Sequence, residues 1–355
     1  MDKRWKDVAD IVVNYSTEVQ PGQRVMIAMR EIESLPLARS VYREVIRVGG
    51  YPQVQFLSDY LDHDLLNFGS DNQITWVPEI EAYGMEWADV YIALRGAHNI
   101  HEFTDISSER FATYRHTMGK ISSLRWNNTR WCIIRVPNEH FAQQAETDIE
   151  TVMDLFFNAT IRDYEGESKK LQEFAKKLNQ GRQIHLIGKN TDLSFSTQGR
   201  TWLVGTGKLN LPDGEIFTAP VNSTLNGQIS FDWPGVLGGR LVHNILLEWK
   251  DGKLINASAR KNEDFLFKIL DSDPGARLLG EFAIGTNQDI NLFCKDIFFD
   301  EKIGGTVHIA LGRAYPDCGG TNQSAIHWDI IKDTREEGKI YLDDEIIFDK
   351  GRLLL

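Results

Sequence analysis

Two short apolar segments near the C-terminus carry side chains whose types and spacing are typical of metal sites. One segment contains His308, and the other contains His327 and Asp329, two residues apart. Successive side chains of a β-strand point to opposite faces, so we predict that His327 and Asp329 project together while Trp328 points the other way. Imidazole and carboxylate groups are common ligands of divalent ions. The two segments therefore indicate a metal site.

Two glutamates and a tyrosine in the same half of the chain are further candidates. Glu215 follows a Pro-Asp-Gly turn, Glu281 lies in a run of apolar residues and glycine, and Tyr315 follows a Gly-Arg-Ala segment. Each has an ordinary alternative: a solvated carboxylate for either glutamate, and packing on a sheet for the tyrosine. The alternative for His308 is a hydrogen-bonded core histidine. Three carboxylates and two imidazoles together favour a divalent metal site over five coincidences.

The composition is that of a folded protein that binds neither nucleic acid nor membranes. Hydrophobic residues make up 42% of the 355 positions and charged residues 25%, which is ordinary for a globular chain of two domains. The net charge of -12 has the wrong sign for a phosphate-binding surface. Three cysteines without CxxC spacing favour a reducing cytoplasm over a disulfide framework. We expect no signal peptide and no membrane-spanning segment.

The first half of the chain is expected to form an α/β domain with at least partly parallel strands. Helical spacing of apolar residues between the first two strands, ended by Gly49-Gly50, indicates a βαβ unit. Helices Phe141–Ala159 and Glu165–Leu178 follow, and the boundary between them gives domains 1–162 and 163–355. The predicted strands are Val25–Met29, Val54–Leu57, Ala88–Leu94 and Trp131–Val136.

The second half changes to short alternating strands separated by turn signals. This pattern predicts an α+β, metal-binding domain with a curved, largely antiparallel sheet. The Asp251-Gly252 pair indicates a two-residue hairpin, and a second hairpin is expected over Lys339–Leu354. One helix, Asn262–Leu270, interrupts the strands. The other predicted strands are Gln183–Ile187, Asp192–Thr197 and Gln228–Asp232, and the Asp251-Gly252 hairpin lies within the predicted segment Asn244–Ala257.

Signatures of several other enzyme classes are missing from the sequence. It contains no GxxxxGK[ST], no GxGxxG after a strand, no HExxH and no GxSxG. Nucleotide binding, a Rossmann cofactor, zincin chemistry and a serine nucleophile therefore lack support. Cys318 lies near the candidate residues without a paired base, and we expect no catalytic role for it. His98 and His101 are candidates for a loop that faces the substrate.

Several segments resemble the thermophilic aminopeptidase family of the aminopeptidase T and S type. Their order and approximate spacing also agree, and together they span most of the chain. In the second half the matching segments are Pro212–Pro220, Gly280-Glu281, His308–Tyr315 and Asn322–Asp329, and in the first half they are Val13–Ser16, Pro21–Val25 and Trp131–Ile133.

The resemblance implies a two-domain metallo-aminopeptidase, usually a homodimer, that hydrolyses N-terminal residues from peptides with a free N-terminus. Its implied cofactors are two divalent metal ions, such as zinc, cobalt, manganese or magnesium, which activate a water molecule. Tyr315 is expected as a ligand or catalytic group, and Glu301 as a further acid, base or ligand. The metal ligands implied by the resemblance are Glu215, Glu281, His308, His327 and Asp329.

Two other functions remain open at this point. The fold is also similar to that of 2,5-dihydroxypyridine dioxygenase, a ring-opening enzyme with one iron held by two histidines and an aspartate. A binding module with structural metal ions is the third possibility. The presence of both Glu215 and Glu281 favours the two-metal hydrolase. The segment between Tyr315 and His327 is shorter than in the best-known members, so we expect the pocket rim and the substrate preference to differ.

Overall fold

The computed structural model describes residues 2–96, 99–124 and 129–354, so that His98 lies outside the described residues. Within them, no helix combines the length and the hydropathy that a bilayer crossing requires. The α-helices are α1 (Arg4–Asp10), α2 (Leu35–Arg47), α3 (Asp59–Phe68), α4 (Asp71–Thr75), α5 (Glu79–Trp87), α6 (Ser108–Ser123), α7 (Glu139–Gln144), α8 (Ile149–Thr160), α9 (Tyr164–Leu178), α10 (Glu263–Leu270) and α11 (Ile297–Asp300). A π-helical turn covers Ile11–Ser16, and 3-10 turns cover Ile32–Ser34 and Pro316–Cys318.

The strands are short, and most of them lie in the second half of the chain. They are β1 (Arg24–Arg30), β2 (Tyr51–Leu57), β3 (Val90–Gly96), β4 (Arg130–Val136), β5 (Gln183–Gly188), β6 (Thr191–Ser196), β7 (Leu203–Val204), β8 (Asn210–Leu211), β9 (Glu215–Thr218), β10 (Val221–Ser230), β11 (Gly235–Leu237), β12 (Arg240–Val242), β13 (Leu246–Lys250), β14 (Lys253–Ser258), β15 (Leu279–Gly285), β16 (Thr306–Gly312), β17 (His327–Asp333), β18 (Lys339–Leu342), β19 (Glu345–Asp349) and β20 (Arg352–Leu353).

The chain divides into two compact units. The first comprises residues 1–162 and 207–212, and the second comprises 163–206 and 213–355. The excursion of 207–212 into the first unit was not foreseen from the sequence. It has a simple cause, because β8 pairs in parallel with β4 and so extends the sheet of the first unit.

The first unit is an α/β layer around a five-stranded sheet of order β2-β1-β3-β4-β8, in which every pair is parallel. The central strands are buried along nearly their whole length, as continuous apolar runs in parallel sheets are. Helix α2 connects β1 to β2, as the βαβ pattern predicts. The single helix predicted over Phe141–Ala159 is wrong. Glu146 has a positive φ of 58°, and the Asp148 side chain caps a new helix by accepting from the Thr151 amide.

The second unit contains three antiparallel sheets where one was predicted. An eight-stranded sheet has the order β14-β13-β10-β6-β5-β18-β19-β20, a five-stranded sheet has the order β17-β16-β15-β9-β7, and β11 and β12 form a two-stranded sheet. Buried side chains from the two larger sheets and from α9 and α10 form one hydrophobic core. Both predicted hairpins are present, and Asp251 and Gly252 have the positive φ angles that a tight hairpin turn requires. The predicted fold class, an α/β domain followed by a largely antiparallel α+β domain, is confirmed.

Candidate metal centre

The five-stranded sheet of the second unit has one apolar and one polar face. Its apolar face belongs to the hydrophobic core and includes Ile216, Phe282, Ile284, Val307, Ile309, Trp328 and Ile330. Strand alternation places the intervening residues on the other face. A shift of one residue in register would bury the charged set in the core, so the apolar pattern fixes the orientation of the polar set. The candidate ligands on that polar face are Glu215, Glu281, His308, His327 and Asp329.

Small residues separate the candidate ligands across the strands. Ala310 lies between Glu281 and Asp329, because it pairs with both of them in the register of β15, β16 and β17. Ala283 is the cross-strand partner of His308. A methyl group at these positions leaves room above the sheet for functional groups from both sides to approach each other.

Glu281 owes its direction to a β-bulge. The register between β15 and β16 shifts around Gly280, and a β-carbon at this glycine would lie 2.2 Å from the carbonyl oxygen of Arg313. Glu281 then faces both histidines. Its Oε2 lies 3.2 Å from His327 Nε2, and its Oε1 lies 3.9 Å from His308 Nε2. One carboxylate therefore offers a separate oxygen to each imidazole.

The ring of His327 is held by the main chain. Its Nδ1 lies 2.7 Å from the carbonyl oxygen of Arg313, to which it donates, so Nε2 is directed at the carboxylates. Asp329 Oδ1 is 3.5 Å from this Nε2, which agrees with the predicted common projection of the two side chains. Burial opposes the charge of the ring, but Asp329 and Glu281 outweigh it and raise the pKa of His327 to about 11.

Glu215 is directed into the site by the turn before β9, in which Gly214 has a φ of 138°. Its Oε1 accepts a hydrogen bond from Lys302 Nζ at 2.5 Å, and its Oε2 lies 3.4 Å from His308 Nε2. His308 itself is fully buried, which lowers its pKa and keeps the imidazole neutral. A neutral ring is the form that binds a metal ion.

Lys302 is the site residue that sequence reasoning missed. Its ammonium group lies 2.7 Å from Glu301 Oε1 and 3.7 Å from Asp213 Oδ1, in addition to its bond to Glu215. Burial opposes its charge, but the three carboxylates outweigh that effect and raise the pKa of Lys302. Lys302 follows the short helix α11, where no strand alternation signals its direction. The two acidic residues directly before the lysine, Asp300 and Glu301, were the only local sign.

Glu301 and Tyr315 complete the set of predicted residues. Glu301 directly follows α11, and burial, opposed by Lys302, raises its pKa to about 7. The ring of Tyr315 packs at 4.9 Å from that of His327 and at 6.1 Å from that of Phe217. Tyr315 is 39% exposed, but desolvation of its hydroxyl group and the nearby carboxylates raise its pKa, so the hydroxyl keeps its proton and remains a hydrogen-bond donor.

Six of the seven predicted site residues, all except Tyr315, fall into two groups, each with metal-ligating atoms within 4.8 Å of one another. The His308 group consists of Glu215, Glu301 and His308, and the His327 group consists of Glu281, His327 and Asp329. Within the described residues, four buried atoms of these groups that can bind a metal ion have no hydrogen-bond partner. They are Glu215 Oε2, both ring nitrogens of His308 and Asp329 Oδ1. In folded proteins the large majority of buried polar atoms have a hydrogen-bond partner. Their nitrogen and oxygen chemistry fits zinc, cobalt or manganese.

Comparison with known proteins identifies the family to which the chain belongs. The family model of the thermophilic metalloproteases (M29) matches residues 1–352. Aminopeptidase T of Thermus thermophilus is 26% identical over 96% of this chain and 95% of its own length. Aminopeptidase 2 of Geobacillus stearothermophilus is 24% identical over 93% and 92%, respectively.

Two solved structures share the fold. Wild-type AmpT from Thermus thermophilus has a TM-score of 0.87 at 24% identity, with 99% of each chain covered. The 2,5-dihydroxypyridine dioxygenase from Pseudomonas putida KT2440 has a TM-score of 0.64 at 13% identity, covering 99% of this chain and 96% of its own. At these identities the structural likeness carries the fold alone. The family model covers nearly the whole chain and confirms the predicted enzyme class, so this chain belongs to the thermophilic metalloprotease family M29.

Proposed function

We propose that the chain is an aminopeptidase that uses two divalent metal ions to remove N-terminal residues from peptides. The observation that carries the proposal is the position of Glu281, whose two oxygens face His308 and His327 separately. A carboxylate in this position suits a bridge between two ions, as in other two-metal hydrolases. The proposed ligands are Glu215, Glu281 and His308 for one ion, and Glu281, His327 and Asp329 for the other.

When bound, the ions supply Lewis acidity to the scissile carbonyl group and lower the pKa of the attacking water. The chain provides the proton transfer and the hydrogen bond to the oxyanion. Glu301, with a pKa of about 7, accepts a proton from the water and returns it to the leaving amine. Tyr315 donates a hydrogen bond to the oxyanion, a contribution of ~10²-fold or more in rate.

The free N-terminus of the substrate is inferred from the relatives, which are named aminopeptidases. The site is rich in carboxylates, and these would attract the protonated amine of an approaching peptide. Nucleic acid is not a proposed partner, since the net charge is -12. The three cysteines have free, buried thiols, which supports a location in the reducing cytoplasm.

Metal analysis and an activity screen test this proposal against an iron dioxygenase. A single iron would need only His308, His327 and Asp329 and would leave the positions of Glu215 and Glu281 unexplained. We expect about two divalent ions per chain in protein purified without chelator, with cleavage of aminoacyl-nitroanilides. One ferrous ion per chain and oxygen uptake with a hydroxylated pyridine would overturn the aminopeptidase proposal in favour of ring opening.

We also propose that the protein forms a homodimer. The support is a set of large hydrophobic side chains exposed on and beside helices α3, α4 and α5 of the first unit, namely Tyr60, Leu61, Phe68, Trp76, Ile80 and Tyr83. Ile80 is 88% exposed, and contact between its apolar side chain and water is unfavourable unless a partner covers it. Light scattering of Ile80→Asp should show a monomer, whereas the control Ile255→Asp, on the second unit, should remain a dimer.

A further inference from the structure

Lys302 places a permanent positive charge inside a site proposed to bind cations. Its exposed fraction is 0%, and its Nζ contacts three carboxylates, those of Asp213, Glu215 and Glu301. An ammonium group beside a divalent ion is repelled by it, and the repulsion is strong where water is excluded. The lysine must therefore have a role in the site that outweighs this repulsion.

Lys302 engages one oxygen of Glu215 and leaves the other oxygen facing His308. Oε1 of Glu215 accepts from Nζ, whereas Oε2 of the same group faces His308 and has no other partner among the described residues. Oε1 of Glu301 is held by the same ammonium group. Glu215 can then offer a single oxygen to an ion beside His308, because its other oxygen is already engaged.

A second buried lysine in the same unit shows what a purely structural solution looks like. Lys332 is 1% exposed, and its Nζ donates to the main-chain carbonyl oxygens of Lys189 and Ser230 at 3.1 and 2.9 Å. Neutral carbonyl groups are sufficient to satisfy the hydrogen-bonding needs of a buried ammonium group there. The three carboxylates around Lys302 are not needed for that purpose alone.

We propose that Lys302 is a positioning residue that keeps the ion of the His308 group coordinatively open. It reserves Oε1 of Glu215 and of Glu301, so that Glu215 binds through one oxygen and a coordination position stays available for water or substrate. This inference rests on the proposed metal centre. It predicts that loss of the ammonium group frees Oε1 of Glu215 to become a second ligand and removes the repulsion, so the ion binds more tightly.

Cobalt titration of the full-length protein tests the inference, with Lys302→Met compared with Lys332→Met. Calorimetry gives the number and affinity of the Co²⁺ ions, and the visible d–d bands report their coordination number. For Lys302→Met we expect one of the two ions to bind at least about tenfold more tightly, since two favourable effects add. The d–d absorption should weaken as the coordination number rises, and kcat should fall with little change in KM.

The control separates this role from a merely structural one. Lys332→Met also removes a buried charge, and its melting temperature should fall while both cobalt affinities and the spectrum stay unchanged. If Lys302→Met does not fold, Lys302→Gln removes the charge but keeps a donor for Oε1 of Glu215, so cobalt should bind more tightly while the spectrum stays that of the wild type. Weaker or unchanged cobalt binding with an unchanged spectrum would overturn the inference. Wild-type protein that binds no cobalt, or a single ion, would instead overturn the proposed two-metal centre itself.

Discussion

The strongest prediction concerns Glu281→Ala. In the wild type the two carboxylate oxygens of Glu281 lie 3.2 Å from His327 Nε2 and 3.9 Å from His308 Nε2. Each proposed ion therefore loses one of its protein ligands in this variant. We take the free energy of a hydrogen bond to a charged group, about 1.5–3 kcal/mol, as the scale for one contact between a carboxylate oxygen and an ion. With ~2 kcal/mol lost per ion, each dissociation constant rises about 30-fold, and the joint binding constant of two ions falls about 10³-fold.

The measurement is equilibrium dialysis against zinc or cobalt, followed by elemental analysis and an aminoacyl-nitroanilide assay. At a metal concentration near the wild-type dissociation constants, both sites of the variant should be almost empty and turnover should be lost. Glu31→Ala is the matched control. Glu31 lies in the first unit, and its carboxylate is as buried as that of Glu281, with exposed fractions of 6% and 4%, respectively. It accepts from the Ser58 hydroxyl and should affect stability without altering metal content. Two ions bound at wild-type affinity, together with wild-type turnover, would refute the bridging role of Glu281.

Two further predictions follow from the same site. Tyr315→Phe keeps the ring contact with His327 and loses the hydroxyl donor. We expect kcat to fall ~10²-fold at unchanged metal content. An unchanged kcat would show that Tyr315 takes no part in the mechanism. In the metal-free protein the pKa of His327 is raised to about 11 from 6.5. The imidazolium therefore stabilises the folded state fully below pH 6.5 and progressively less as the pH rises toward 11. The difference in melting temperature between wild type and His327→Gln should shrink over that range, and metal binding should release a proton, measurable by calorimetry in buffers of different ionisation enthalpy. A constant difference would contradict the charged state of His327.

Much of the local structure was accessible from the sequence because it depends on backbone geometry. The alternation around Trp328 indicated that His327 and Asp329 share a face, and the structure has Trp328 in the core and the two polar groups 3.5 Å apart. The Asp251-Gly252 turn was likewise predicted from residue types that tolerate positive φ. Helix breaks were harder to predict, as the two helices α7 and α8 show, because apolar periodicity alone does not reveal where a chain reverses its φ.

The convergence of the site depended on tertiary structure. Glu281 faces both histidines because the register of β15 shifts at Gly280, and a one-residue bulge leaves no mark in the apolar pattern. Lys302 reaches Glu215 from the end of a short helix, which has no periodicity that fixes its direction. The sequence by itself determined which groups are able to bind a metal ion and on which strand face several of them lie. Only the tertiary structure decided which groups meet and which oxygen each one offers, because that depends on pairing between segments far apart in the chain.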